Sequence, residues 1–290
     1  MRVSGLRGVG PFTLTKKAVK DFFEDDMTTY AAALAYQVLF SIFPFLIFLI
    51  ALLGFLRLST FFDWLRQQMQ FAVPQQAMEQ VNEVIDQLQR PQGGLLSLGV
   101  VIALWSASAA IRAIMHALNV AYDVEEGRPA WKLYPLSILY TIGIAAMLIV
   151  AAALMVVGPE AMQWLAHYVG LERPFVVLWA LLRWPVALLL LTLAVAVIYY
   201  VAPDFEQDFR FITPGAVISV LVWVGGSLAF DYYVRNFADY NATYGSVGAV
   251  IVLLLYFYIS AAVLLFGAEV NAVIEHTSPA GKERGEKTMH

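Results

Sequence analysis

The chain contains no cysteine, only four histidines and few charges of either sign. Without cysteine there is no disulfide framework, no thiolate metal site and no cysteine nucleophile. The histidines are His116, His167, His276 and His290. Even the nearest pair is too far apart for an HxH or HExxH spacing, so no metal site is expected. Charged residues make up 14% of the chain, against about 25% in an ordinary soluble domain. The net charge of −4 is dispersed, and no basic patch exists that could follow a phosphate backbone, which argues against a nucleic-acid partner. A G-x-x-x-x-G-K-[ST] loop is also missing, so ATP-driven work within this chain is not expected. No cofactor is implied.

What the chain has instead is apolar length. Of 290 residues, 60% are hydrophobic, and the mean hydropathy is +0.70. A helix on a soluble core breaks its apolar stripe with polar residues every turn, because only one face is buried. Here whole turns carry no polar side chain, so their surroundings must be lipid or other apolar helices. Six such runs are predicted to be membrane helices, at about 30–56, 95–122, 136–157, 175–201, 211–234 and 247–274. Each exceeds the ~20 residues that cross ~30 Å of hydrocarbon. The expected fold is therefore all-α, a polytopic bundle of six transmembrane helices in a membrane domain spanning 30–276. Pro135, Pro159, Pro174, Pro203 and Pro214 are read as markers of span ends, where proline is tolerated. Pro44 and Pro185 fall inside spans and are candidate helix kinks.

Three polar regions frame the spans. Residues 1–29 include the stretch PFTLTKKAVKDFFEDDM, in which Phe12, Leu14, Val19, Phe22 and Phe23 alternate with Lys16, Lys17 and Lys20. This predicts an amphipathic helix along the membrane surface or a solvated lead-in helix. The first apolar run is too long for a signal peptide and no small-residue cleavage site follows it, so it is read as a retained span. Residues 57–93 carry Met78, Val81, Ile85 and Leu88 at helical spacing, which predicts amphipathic extracytoplasmic helices capping the bundle. Residues 277–290 form a polar tail. Lys and Arg near span ends divide eleven to five in favour of the side that holds both termini, which places those termini in the cytoplasm.

Several short motifs resemble a known family. Tyr240-x-x-x-Tyr244-Gly245-Ser246-x-Gly248 precedes the last span, which closes on Gly267-Ala268-Glu269-x-Asn271. Ala35-Tyr36 and Ser41-x-x-Pro44 stand in the first span. Leu104-Trp105-Ser106, Ala117-Leu118-Asn119 and Pro214-Gly215-Ala216 follow in order. Together they resemble the YihY/BrkB family of bacterial inner-membrane proteins over about residues 20–275. The resemblance implies six spans and a multi-pass location in the bacterial inner membrane. Two labels travel with the family, ribonuclease BN and resistance to serum killing. A metal-dependent nuclease needs a dense His/Asp cluster, and its lack here disfavours ribonuclease activity.

The remaining signals are charges inside spans, which cost several kcal/mol unless paired or hydrated. At ~1.5 Å per residue, Arg112 lies about 25 Å along its span and Glu269 about 33 Å along the last, both in the cytoplasmic half. His116 follows Arg112 by one turn, and Asn119 and Asn271 share the depth. Arg112 with Glu269 is an expected buried ion pair, with His116 able to titrate beside it. Arg183 and Asp231 form a secondary candidate pair nearer the other face. These residues line either a polar path or a set of structural ion pairs that fix helix register. The leading reading is a transporter or translocase of a lipid or other amphipathic or anionic solute, with membrane lipids as partners. A non-catalytic scaffold for envelope assembly is the alternative, and a homo-oligomer is compatible with either. An intramembrane enzyme would need a polar cluster with Ser246 or His116 in contact with a nucleophile or metal, and no catalytic residue is assigned.

Overall fold

A computed structural model describes residues 10–55, 78, 82, 86, 93–169, 172–205, 212–237 and 246–277. Among these residues the regular structure is seven helices and no strand. They are α1 (Pro11–Glu24), α2 (Met27–Phe55), α3 (Gly93–Ala121), α4 (Ala130–Val169), α5 (Glu172–Val201), α6 (Pro214–Phe237) and α7 (Ser246–Thr277). The six from α2 onward are long and apolar enough to cross a membrane, as their unbroken apolar runs require.

Chain neighbours pack in order, α2 on α3, α3 on α4, α4 on α5, α5 on α6 and α6 on α7. The last helix then returns to α2, so the six spans form a closed ring, with α7 also touching α3. Helix α1 starts with Pro11 at a position where its missing N–H costs nothing. Its Ala18, Leu14 and Phe22 face the bundle, with Ala18 and Leu14 against Val270 and Val273 of α7 and Phe22 edge-on to Phe266. Phe12, Val19 and Phe23 point outward and are exposed. An amphipathic helix with apolar residues on its free side suits a membrane surface.

Two aspartates in left-handed backbone turn the chain: Asp26 (φ 54°) between α1 and α2, and Asp123 (φ 55°) after α3. The end of α3 is a Schellman motif, with the Asp123 N–H on the Val120 carbonyl and the Val124 N–H on that of Asn119.

Two boundary expectations need correction. Pro135 and Pro159 do not end α4, which runs 40 residues through both. That is about 60 Å of helix, twice the hydrocarbon thickness. A proline removes one helical hydrogen bond, a loss that membrane helices tolerate. Pro44 and Pro185 likewise sit within continuous helices. The expected cap at 57–93 and the tail at 277–290 lie almost wholly outside the described residues.

Packing is polarised along the ring. Among the described residues of α2 those buried are Met27, Ala31, Leu34 and Ala35, all in its first three turns. In α6 they are Gly215, Ala216, Ser219 and Val220, again the first turns. In α7 burial is concentrated from Leu265 to Val273, and in α5 from Thr192 to Tyr199. All these stretches lie at the end of the bundle that carries α1. Towards the opposite end, the described residues of α2, α4, α5 and α6 are partly buried or exposed and none is fully buried, although Gly99 of α3 and Gly248 of α7 are buried there.

Candidate functional site: polar residues at the packed end

The packed end is built around a close crossing of α6 and α7. A Cβ on Gly215 would run into the Gly267 backbone carbonyl, and one on Gly267 into the Ser219 hydroxyl. Only glycine permits that approach, and small residues at crossings are how membrane helices gain contact. The crossing exposes the first N–H groups of α6, which the chain satisfies locally. Thr213 Oγ1 accepts from the Ala216 N–H at 3.2 Å, with Pro214 in the first helical position. Asn271 Oδ1 accepts from the Gly215 N–H at 2.8 Å, and its Nδ2 donates to Thr213 Oγ1 at 3.0 Å. Thus Asn271 acts as a helix cap reaching over from α7.

One turn further along, the Tyr199 and Ser219 hydroxyls lie 2.8 Å apart. The carbonyls of Leu264 and Val263 accept from them, which ties α5, α6 and α7 together. The same seam continues outward with Trp223 Nε1 donating to Ser260 Oγ at 3.0 Å and Ser227 meeting Tyr256 at 3.2 Å. Positions 215, 219, 223 and 227 repeat every four residues, so α6 presents one polar or small group per turn to α7.

A second polar cluster pins two loops. Glu126 receives Arg128 in a two-pronged contact, Nε on Oε1 at 2.7 Å and Nη2 on Oε2 at 2.7 Å. Arg128 Nη2 also donates to the Ala202 carbonyl, and its Nε lies 3.6 Å from Asp204. Asn119 joins the group on both sides, its Nδ2 donating to Glu126 and its Oδ1 accepting from the Asp204 N–H. Burial would lift the Glu126 carboxyl, but the hydrogen bonds and charge of Arg128 outweigh it and hold the group below its ordinary range. Arg128 is raised correspondingly: burial would lower it, and its bonds to Glu126 win. The Tyr122 phenol, fully buried beside this cluster, is pushed up by burial and then by Tyr199, Glu275 and Glu269, while a hydrogen bond to Asn271 opposes the shift.

The residues expected to form a polar path separate into different environments. Glu269 is 1% exposed, the most enclosed acid among the described residues, between Ala268 and Val270 on α7. Asn119 and Asn271 serve the clamp and the cap. Arg112 does not pair with Glu269; it lies in the seam between α3 and α4. Its Nη1 donates to Ser108 at 2.7 Å and to Ser137 at 3.1 Å. Its guanidinium stands over the rings of Tyr134 and Trp105, 4.5 and 5.4 Å from their centroids. His116 is exposed and edge-on to Tyr30. Equal depth along a span says nothing about direction around it, and that is why the expected pair fails.

Arg183 and Asp231 are not a pair either. Asp231 accepts from Arg235 one turn on in α6 at 2.9 Å, an exposed contact. Arg183 stands over the neighbouring Trp184 ring. In both cases a partner on the same helix is nearer than one across the ring. Glu126, Arg128, Asp204 and Tyr199 were not singled out from the sequence. The signal was available in Glu-Gly-Arg-Pro directly after the third helix and Pro-Asp directly after the fifth.

An apolar cleft of about 200 Å³ lies between α4, α5, α6 and α7. Ile144, Leu148, Leu191 and Val195 line one side, and Trp223, Ser260 and Leu264 the other. Among the described residues no three of His, Asp and Glu come together as metal ligands.

Comparison with known proteins places this bundle. A sequence description of the family Virulence factor BrkB matches residues 18–290. The chain belongs to the BrkB family. Within it, the ribonuclease-like protein YfkH of Bacillus subtilis is 42% identical over 245 residues, 84% of this chain and 88% of the relative. A UPF0761 membrane protein of Aeromonas salmonicida is 26% identical over 275 residues, 90% and 89% of the two chains. One of Xanthomonas campestris pv. campestris is 25% identical over 260 residues, 86% of this chain but 57% of the relative. The chain thus spans little more than half the length of the Xanthomonas relatives. No solved structure matches. The BrkB-family motifs noted above, Pro214-Gly215-Ala216 and Gly267-Ala268-Glu269-x-Asn271, are the two partners of the α6–α7 crossing.

Proposed function

We propose that this BrkB-family protein is a transporter or translocase of a lipid, or of another amphipathic or anionic solute, across the bacterial inner membrane. Its termini and packed end face the cytoplasm. The observation that carries the reading is the polarised packing: a ring of spans closed at one end and loosening toward the other. A scaffold has no need of spans whose described residues are less buried away from one end, whereas a translocase needs a volume that one side can enter. The apolar cleft lies at the boundary between the packed and open halves, a suitable depth for the apolar part of a substrate. Arg112 and Glu269 supply the in-span charge that a polar path needs.

The ribonuclease-like name of the YfkH relative does not carry over, since the chain has neither a metal-ligand cluster motif nor a basic surface track. We read the protein as non-catalytic. The scaffold reading draws its support from Asn119 and Asn271, whose amides are fully engaged in holding loops and a helix end.

The deciding experiment is reconstitution in vesicles of mixed phosphatidylethanolamine and phosphatidylglycerol, following fluorescent headgroup analogues as they cross. Wild type is expected to move at least one analogue faster than protein-free vesicles. Leu148→Trp, which fills the cleft from a partly exposed position, is expected to slow that movement. No movement of any analogue above protein-free vesicles would leave the scaffold as the better account.

A further inference from the structure

The seam between α3 and α4 holds a positive charge for which the described chain supplies no anion. Arg112 lies nine residues before the end of α3, about 13 Å inside it. Its neighbours are two hydroxyls and two aromatic rings. No carboxylate among the described residues contacts it. An unpaired guanidinium at this depth is costly, yet the surroundings are built to hold it in place. Ser108 and Ser137 are both fully buried. Each donates its hydroxyl hydrogen to its own helix, Ser108 to the Trp105 carbonyl at 2.8 Å and Ser137 to that of Tyr134 at 2.7 Å. Their oxygens are thereby left as fixed acceptors, and both accept from the same nitrogen, Nη1. Nε and Nη2 have no bond to a described residue, and the guanidinium is only partly buried.

Two rings stand beside the guanidinium. Trp105 and Tyr134 stack 5.4 Å apart across the seam, and both remain exposed. Tyr134 stands four residues into α4, about 6 Å from the packed end of that helix, and amphipathic rings near a span end collect at headgroup level. From this point an apolar stripe runs along α3 away from the packed end: Trp105, Ile102, Val101 and Leu98, every one exposed. Their spacing of three and four residues puts them on the face that carries Arg112. From Arg112 to Leu98 the stripe covers about 21 Å, more than the ~15 Å of one hydrocarbon leaflet.

We infer that the α3–α4 seam is a binding site for an anionic glycerophospholipid, whose phosphate bonds Nε and Nη2 of Arg112 beside the stacked rings of Trp105 and Tyr134 while an acyl chain lies on the α3 stripe. A guanidinium fork matches phosphate oxygens in a two-pronged bond that an ammonium does not reproduce. The apolar stripe selects a lipid over free phosphate, since a soluble anion has no use for it. The site is independent of translocation, because a protein that moves no lipid can still hold one here.

The test is native mass spectrometry of the full chain released from detergent, titrated with phosphatidylglycerol. Wild type is expected to retain one tightly held phosphatidylglycerol, and Arg112→Gln to hold it at least tenfold more weakly, the size of a charge-assisted bond. Arg183→Gln, on α5, is expected to bind as wild type does. Ser137→Ala loosens the guanidinium without removing its charge and is expected to fall between them. As a check that needs no variant, phosphatidylglycerol with a photoreactive headgroup is expected to crosslink wild type on peptides containing Trp105 or Tyr134. Equal retention by wild type and Arg112→Gln, or crosslinks confined to other helices, overturns the site. Displacement of the bound lipid by millimolar glycerol phosphate assigns the phosphate contact to a soluble ligand and overturns the lipid assignment.

Discussion

Gly267 shows how little freedom a single residue has at the packed end. A Cβ there would meet the Ser219 hydroxyl, the Gly215 carbonyl oxygen at 2.6 Å and the Tyr199 hydroxyl at 2.6 Å. A backbone carbonyl cannot rotate away, so Gly267→Ala must separate α6 from α7 or break the Tyr199–Ser219 contact. Overpacking of this kind costs about 1–3 kcal/mol, and Gly267→Ala is expected to lower the thermal unfolding midpoint in detergent accordingly. Gly143→Ala is the control: nothing lies within 4 Å of its Cβ, and it is expected to leave the midpoint unchanged or raise it. Equal midpoints for the two variants would mean the crossing is looser than described. Glu126 makes a pH-dependent contribution. Its folded carboxyl lies below the ordinary value of 4.5, so its stabilisation is complete above that value and is lost as pH falls through the folded one. Glu126→Gln is expected to destabilise the chain by about 1–2 kcal/mol at pH 7, and the gap to wild type should close on acidification below pH ~4. A gap that stays constant down to pH 3 would show that the carboxylate charge is not what holds the clamp.

At the scale of elements, helices interact here through their ends and seams more than through apolar faces. The N-terminus of α6 depends on Asn271 of α7, because the buried Gly215 N–H has no other partner within its own helix. Asn271→Ala is expected to cost about 1–3 kcal/mol for that orphaned donor. Hydrogen exchange is the sensitive readout, with faster exchange at residues 215–219 and little change in α3. The number of spans was legible from the sequence because length and hydropathy alone decide whether a helix crosses. The extent of α4 was not. Pro135 and Pro159 read as ends by local propensity, and tertiary support overrides that propensity in a bundle. The same limit applies to the site. Depth along a span is simple arithmetic, and it is all that the expectation for Arg112, Asn119, Glu269 and Asn271 rested on. Direction around each helix depends on packing, and so Arg112 turned to α4, away from Glu269. Glu126, Arg128 and Asp204 escaped notice because charged loop residues are mostly solvated. Only the meeting of two loops from distant parts of the chain makes these three a clamp.

For the whole molecule, the absence of cysteine turns the packing gradient into a measurable quantity. Each introduced cysteine is the only thiol present, so its reaction with a water-soluble maleimide reports one position. Ser260 and Ser227 lie on the α6–α7 seam beyond the packed end, and Ser219 and Ala268 lie within it. All four face neighbouring helices, so simple lipid exposure does not separate them. If the ring is open on one side, Ser260→Cys and Ser227→Cys should react many times faster than Ser219→Cys and Ala268→Cys in vesicles. Adding the maleimide from each side in turn then gives the direction of opening, and the cytoplasmic placement of the packed end requires the faster pair to react from outside. Slow reaction at all four positions from both sides would mean a bundle closed over its full depth. Translocation would then lack its entrance, although the lipid site at Arg112, on the α3–α4 seam, would be untouched by that result.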